Sequence, residues 1–166
     1  TISDFITKGS TPTTYGFDWQ EQGVLFLKSE SVKKGEFTIS GSMRISQEAH
    51  QFMKRSIIHG GDILVSITGY IGYACTFPMK YSEANINQHI AKVRIKNQNL
   101  SKFVMYYLNS DDQYRRYLSI QTGQAYPQLS LQQIRDTFIP VPIDYELSSI
   151  TSILDVIDKN IDSKKL

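Results

Sequence analysis

Three stretches of this 166-residue chain carry residue types suited to recognition chemistry. The first is Thr7-Lys8-Gly9-Ser10-Thr11-Pro12-Thr13-Thr14. A lysine among small hydroxyl side chains and backbone N–H groups suits the oxygens of a phosphate, with Lys8 and Ser10 as the natural ligands. On composition alone an ordinary flexible loop is the stronger reading. The second stretch, Gly69-Tyr70-Ile71-Gly72, has the G-x-x-G spacing of the loop that clamps nucleic acid in KH modules. That loop joins two helices, whereas this one joins two strand-like runs, so a glycine hairpin turn fits better. Tyr70 at its tip could still contact a ligand. The third stretch runs from Gln121 to Gln128. Gln121, Gln124 and Gln128 each offer a donor and an acceptor together, as the adenine edge demands, and Tyr126 stands beside them. A solvated connector fits that composition equally. Lys33, Lys34, Arg44, Lys54, Arg55, Arg115 and Arg116 could hold phosphates, although each singly fits a solvated surface charge.

Signals for catalysis are missing. The single cysteine, Cys75, excludes an intrachain disulfide and a cysteine-based zinc site, and its apolar neighbours mark it as a buried, inert thiol. His50, His59 and His89 lack metal-ligand spacing. No phosphate-loop, dinucleotide-binding or nucleophile-elbow motif is present. No catalytic residue and no metal site are therefore expected.

Composition agrees with a binding module. Eighteen Lys and Arg against sixteen Asp and Glu leave a net charge of +2. The excess is uneven: residues 1–139 hold fifteen basic and eleven acidic side chains, residues 140–166 three and five. A basic body with an acidic tail suggests different partners, and chance scatter explains such small counts about as well. No apolar run is long enough to cross a bilayer, so a soluble, cytoplasmic protein is expected. Thr1 opens directly into polar sequence, as in a piece of a longer chain.

The elements that must position these stretches are partly readable. Residues 1–23 look loop-rich, followed by a short strand at Val24–Leu27 and a weak one at Glu36–Ile39. Ser46 caps a helix bearing Ala49, Phe52 and Met53 and ended by Gly60-Gly61. Asp62–Ile67, Tyr73–Phe77 and His89–Ile95 read as strands. In the last, Ala91, Val93 and Ile95 alternate with Lys92 and Arg94, the pattern of a sheet with one buried and one wet face. Ser101 opens a helix, and Ser110 and Ser130 begin capping boxes with Gln113 and Gln133. Gly123 stops the second helix, and the prolines of Phe138–Pro142 force an extended segment. Finally, Leu147, Ile150, Leu154, Ile157 and Ile161 form a heptad seam that favours a partner helix outside the domain. Folding back on its own domain is the alternative.

Taken in order, these segments resemble one target recognition domain of the specificity subunit of type I restriction-modification systems. The resemblance rests on Ile6–Pro12, Gly61–Ser66 with Gly69 and Gly72, Asn85–Ile90, Tyr107–Ser110, Gly123–Pro127 with Leu129-Ser130, Ile139–Pro142 and the heptad helix. It implies an α/β (α+β) domain with a twisted, mainly antiparallel sheet flanked by helices over residues 1–142. Residues 143–166 would begin a spacer helix of coiled-coil type.

The function implied is sequence-specific recognition of double-stranded DNA, one domain reading one half of a bipartite site. Chemistry would come from partners: methyltransferase subunits with S-adenosylmethionine, and a restriction subunit with ATP and magnesium. No cofactor is expected in this chain. A second recognition domain or half subunit would join through the C-terminal helix. Lys8, Ser10, Lys33, Lys34, Arg44 and Arg55 would then contact phosphates, and Tyr70, Gln121, Gln124, Tyr126 and Gln128 would approach bases. Two departures stand out. Only one recognition unit is present, and Glu146-Leu147 stands where the family often has Glu-Gln. A non-catalytic scaffold that binds partner helices through its seam is the alternative.

Overall fold

The structure is a computed structural model that describes residues 1–123 and 125–163, the side chains of Lys159 and of 161–163 excepted. Its elements are β1 (Ser3–Lys8), β2 (Trp19–Gln20), β3 (Val24–Leu27), β4 (Met43–Ile45), α1 (Gln47–Phe52), β5 (Ile57–His59), β6 (Ile63–Ser66), β7 (Ala74–Thr76), β8 (Glu83–Ile86), β9 (Ile90–Ile95), α2 (Ser101–Leu108), α3 (Asp111–Ile120), α4 (Leu131–Arg135) and α5 (Asp144–Ser163). The class is α/β with mainly antiparallel pairing, as expected, and the strands divide between two sheets. One runs β1-β9-β6-β7, antiparallel throughout; the other runs β2-β4-β3-β8-β5, in which β3 and β8 are parallel.

Burial explains the layering. Alternate residues of the first sheet, among them Ile6, Ile63, Val65, Ala91, Val93 and Ile95, face Val104, Met105 and Leu108 of α2, Tyr117 of α3, Ile134 of α4 and Leu147 of α5. Its other face, with Leu64, Cys75 and Ile90, meets Leu27, Ile58, Ala84 and Ile86 of the second sheet. Both faces are covered, so all four residues of β6 are buried, as a continuous apolar run in a doubly covered strand should be. A third cluster, Phe26, Ile45, Ala49 and Met53, seats α1 against the second sheet.

This arrangement corrects the wet face expected for β9. Lys92 is only 4% exposed. It pairs with Leu64 in register, and its ammonium donates to the Ile57 carbonyl 4.9 Å from the centroid of the Phe5 ring. Burial lowers its pKa to about 8. Next to it, Arg94 grips buried Asp62 through two hydrogen bonds of 2.7 Å.

Local capping signals translate directly. Ser46 Oγ accepts from the Ala49 N–H at 3.1 Å, and Ser130 and Gln133 complete a reciprocal capping box. Ser110 caps α3 by accepting from the Gln113 N–H at 3.3 Å. The box is not closed there, because the Gln113 side chain is buried with Oε1 unpaired among the described residues. Other expectations need correction. The loop-rich start contains β1, which pairs with β9 from Ser3 to Lys8. Glu36–Ile39 is not a strand; only the bridge Val32–Phe37 forms there. The helix capped by Ser46 stops at Phe52, because a tight turn and β5 intervene before Gly60-Gly61. Likewise α3 ends at Ile120, ahead of Gly123.

Candidate nucleic-acid interface

Four segments far apart in sequence converge at one end of the first sheet. The chain leaves β1 at Lys8, and Gly9 lies so close to β8 that a Cβ there would sit 1.7 Å from the Ile86 carbonyl oxygen. That close approach requires glycine and seats the following loop on residues 86–88. Thr11 fastens it by donating its hydroxyl to Gln88 Oε1 at 2.5 Å. The Ile67 N–H donates to the His89 carbonyl, and the Leu129 N–H to the Ile67 carbonyl, each at 2.9 Å. Thr122 and Gln128 exchange backbone hydrogen bonds of 3.0 and 2.8 Å, and Thr68 forms a bridge with Gln128. The loop after α3 is thereby stitched onto the end of β6.

These contacts enclose a polar cleft of about 350 Å³, lined by Lys8, Thr68, Gln88, His89, Gln128 and Ser130 among others. It offers one ammonium, two primary amides, an imidazole and several hydroxyls. Such a set can hold phosphate and read donors and acceptors, and among the described residues no carboxylate lines the cleft for acid–base work. Among the described residues no group of three or more His, Cys, Asp or Glu side chains converges on a metal-like site. Burial pushes the Cys75 thiol up to about 12, so it is no nucleophile.

The expected site residues separate into two groups. Lys8 and Gln128 line the cleft, and Ser10 follows on the loop that Thr11 fastens. Arg55 is exposed on a turn whose carbonyl accepts from the Thr7 hydroxyl at 3.1 Å, which holds it beside β1. Tyr126 is exposed on the stitched loop at 75%. Tyr70, 71% exposed, stacks on Tyr73 at 5.5 Å with an interplanar angle of 14°, and Tyr73 leans on Tyr114. Gly72, at φ +80°, lets this turn form; a Cβ there would meet the Tyr117 ring at 2.7 Å.

Lys33, Lys34 and Arg44 do not line the cleft. Lys34 pairs with Asp111 at 3.1 Å, and Arg44 donates to the Gly23 carbonyl at 2.8 Å in a separate cleft with His50, Lys80 and Glu83. Gln121 keeps its Oε1 buried and without a hydrogen-bond partner among the described residues. Gln124 lies outside the described residues. Sequence reasoning missed Thr68, Gln88, His89, Thr122 and Ser130 as cleft residues. A polar Asn87-Gln88-His89 between two apolar strand cores was the one local signal.

The heptad seam is divided. Leu147, 5% exposed, belongs to the domain's own core, which removes it from any intermolecular seam. Ile150 and Leu154 are half-buried, Ile157 is exposed, and the Ile161 side chain lies outside the described residues. Tyr106 of α2 donates to Asp158 Oδ2 at 2.5 Å, and Lys102 pairs with Asp155, so α5 is held along α2. Ile153 and Val156 add to the exposed apolar surface. Among the described residues no helix is long and apolar enough to cross a membrane.

Comparison with known proteins identifies a family and similar folds. A family profile described as the type I restriction modification DNA specificity domain matches residues 1–166. The chain belongs to this family. It is 24% identical over 163 residues to the type I restriction enzyme MjaIX specificity subunit of Methanocaldococcus jannaschii, covering 96% of this chain and 37% of that protein. A chain from a type I R-M system structure superposes with a TM-score of 0.72 at 21% identity, covering 99% of this domain and 38% of that chain. The HsdS subunit of Thermoanaerobacter tengcongensis superposes at 0.63 with 18% identity, covering 96% and 36%. The S subunit of M. genitalium also reaches 0.63, with 16% identity, covering 96% and 37%. This specificity domain thus spans little more than a third of those relatives, and at such identities the superpositions speak for the fold.

Proposed function

We propose that this domain recognises a short stretch of duplex DNA by its sequence and supplies one half of a bipartite target to a type I restriction-modification complex. The observation that carries the proposal is the convergence of the Lys8 loop, residues 67–68, residues 88–89 and the Gln128 loop on one polar cleft that no carboxylate lines among the described residues. Phosphate contacts set register and base contacts set sequence. Lys8, Ser10 and Arg55 suit the first role. Gln128, Tyr126 and Tyr70 suit the second. The paired charge of Lys34 makes it a poorer phosphate ligand than its sequence suggests.

The domain would act without catalysis of its own. Methyltransferase subunits would supply S-adenosylmethionine, and a restriction subunit ATP and magnesium. The distal half of α5, where Ile153, Val156 and Ile157 are exposed, would receive a partner helix from a second recognition unit. The test is binding by the assembled complex to cognate and scrambled duplexes across a salt series. Lys8→Ala should weaken both duplexes alike and lower the salt slope by about 1, whereas Gln128→Ala should cost about 1–3 kcal/mol on the cognate duplex alone. Equal affinity of the wild-type complex for both duplexes would refute the reading.

A further inference from the structure

Hydrogen bonding around His89 runs in one direction. The Thr11 hydroxyl donates to Gln88 Oε1, which occupies the acceptor end of that amide. The other end, Gln88 Nε2, lies 3.2 Å from His89 Nε2. An amide N–H only donates, so with the Gln88 amide held in this orientation by Thr11, His89 Nε2 accepts and Nδ1 carries the ring proton. The backbone is held on both sides: the His89 N–H donates to Asn87 Oδ1 at 3.0 Å, and its carbonyl accepts from Ile67. Nδ1 has no partner among the described residues. His89, which lines the cleft together with Lys8 and Gln128, is therefore a braced imidazole with one N–H donor uncommitted among the described residues.

We propose that His89 is a specificity-determining residue whose Nδ1–H reads a hydrogen-bond acceptor on a base edge. Gln88, anchored by Thr11, is the positioning residue that fixes which ring nitrogen carries the proton. This rests on the DNA-recognition reading above. In the major groove guanine offers N7 and O6, adenine N7 and thymine O4, whereas cytosine presents its N4 amino donor. A donor that meets a donor leaves both groups unpaired, which costs more than a missing contact. One position of the target should therefore reject cytosine by about tenfold.

The experiment uses the complete specificity subunit containing this domain, assembled with its methyltransferase partners. Competition with duplexes substituted one position at a time gives the preference at every position, and melting temperatures confirm that each variant is folded. Wild type should disfavour cytosine at one position. His89→Ala should erase that bias and leave the other positions unchanged. His89→Asp should reverse it, because a carboxylate accepts from cytosine N4. Gln88→Met, a change at an exposed side chain, should relax the same position and so provides the reading if the His89 variants fail to fold. Unaltered preferences in these variants would overturn the role of His89 while leaving DNA recognition intact. A wild-type assembly with no preference at any position would instead overturn the recognition reading itself.

Discussion

Replacement of Gly9 by alanine tests how the cleft is built. The added Cβ would stand 1.7 Å from the Ile86 carbonyl oxygen and 2.6 Å from that of Asn87. Both obstacles are backbone of a buried strand and its end, so neither can swing aside as a flexible side chain would. The loop must lift. Overpacking of this kind costs about 1–3 kcal/mol, and the rigidity of the obstacle puts Gly9→Ala near the upper end. Lifting also breaks the Thr11–Gln88 hydrogen bond, worth about 1 kcal/mol. A total of about 3–4 kcal/mol corresponds to a melting temperature lower by roughly 6–16 °C for a domain of this size. Lys8 would move with the loop, so the salt slope of DNA binding by the assembled complex should fall by about 1. Thermal melting and a salt titration check the two consequences separately. An unchanged melting temperature together with an unchanged slope would refute the idea that the loop is seated on β8 and that Lys8 works from it.

Other consequences can be checked on the same preparation. Lys92 is a base whose pKa is lowered on folding, so its protonation opposes the folded state: the penalty is complete below about pH 8 and fades as pH rises toward the ordinary lysine value. Lys92→Met should remove the rise in stability between about pH 8 and 10 and stabilise the domain at pH 7 by about 2–3 kcal/mol, read from denaturant melts at each pH. Burial and the Asp158 carboxylate hold the Tyr106 hydroxyl protonated, with its pKa raised, and donating. Tyr106→Phe should cost about 1 kcal/mol and speed amide exchange in α5 beyond that in α2, measured by hydrogen exchange. Ser130→Ala removes half of a capping box and should lower stability by about 1 kcal/mol in thermal melts.

What was readable in the sequence followed from local chemistry. Ser46 and Ser130 announce helix starts because capping acts within three residues. The apolar run of β6 announces a buried strand because its side chains alone demand it. The second sheet was hidden, since β4 and β5 have three residues each and β8 four, too few to show a period. That omission produced the error at Lys92: its alternation with Val93 is real, but the face it points to is covered by a layer the sequence did not disclose. The cleft followed the same logic. Lys8 and Gln128 were legible as polar residues in glycine-bearing stretches, whereas Gln88 and His89 joined the cleft only when β8 and β9 brought them to the same end of the sheet. Leu147 fits the heptad spacing, yet its environment is set by α2 and the first sheet, and spacing alone does not distinguish an inward seam from an outward one.

The most direct measurement is a map of modified adenines in DNA from cells carrying the complete system, before and after this domain is exchanged for a recognition domain of different specificity. The expected result is that one half of the modified sequence changes with the exchange while the other half and the modified base stay the same. An unchanged modification map, with the hybrid complex assembled and active, would contradict the claim that this domain reads DNA.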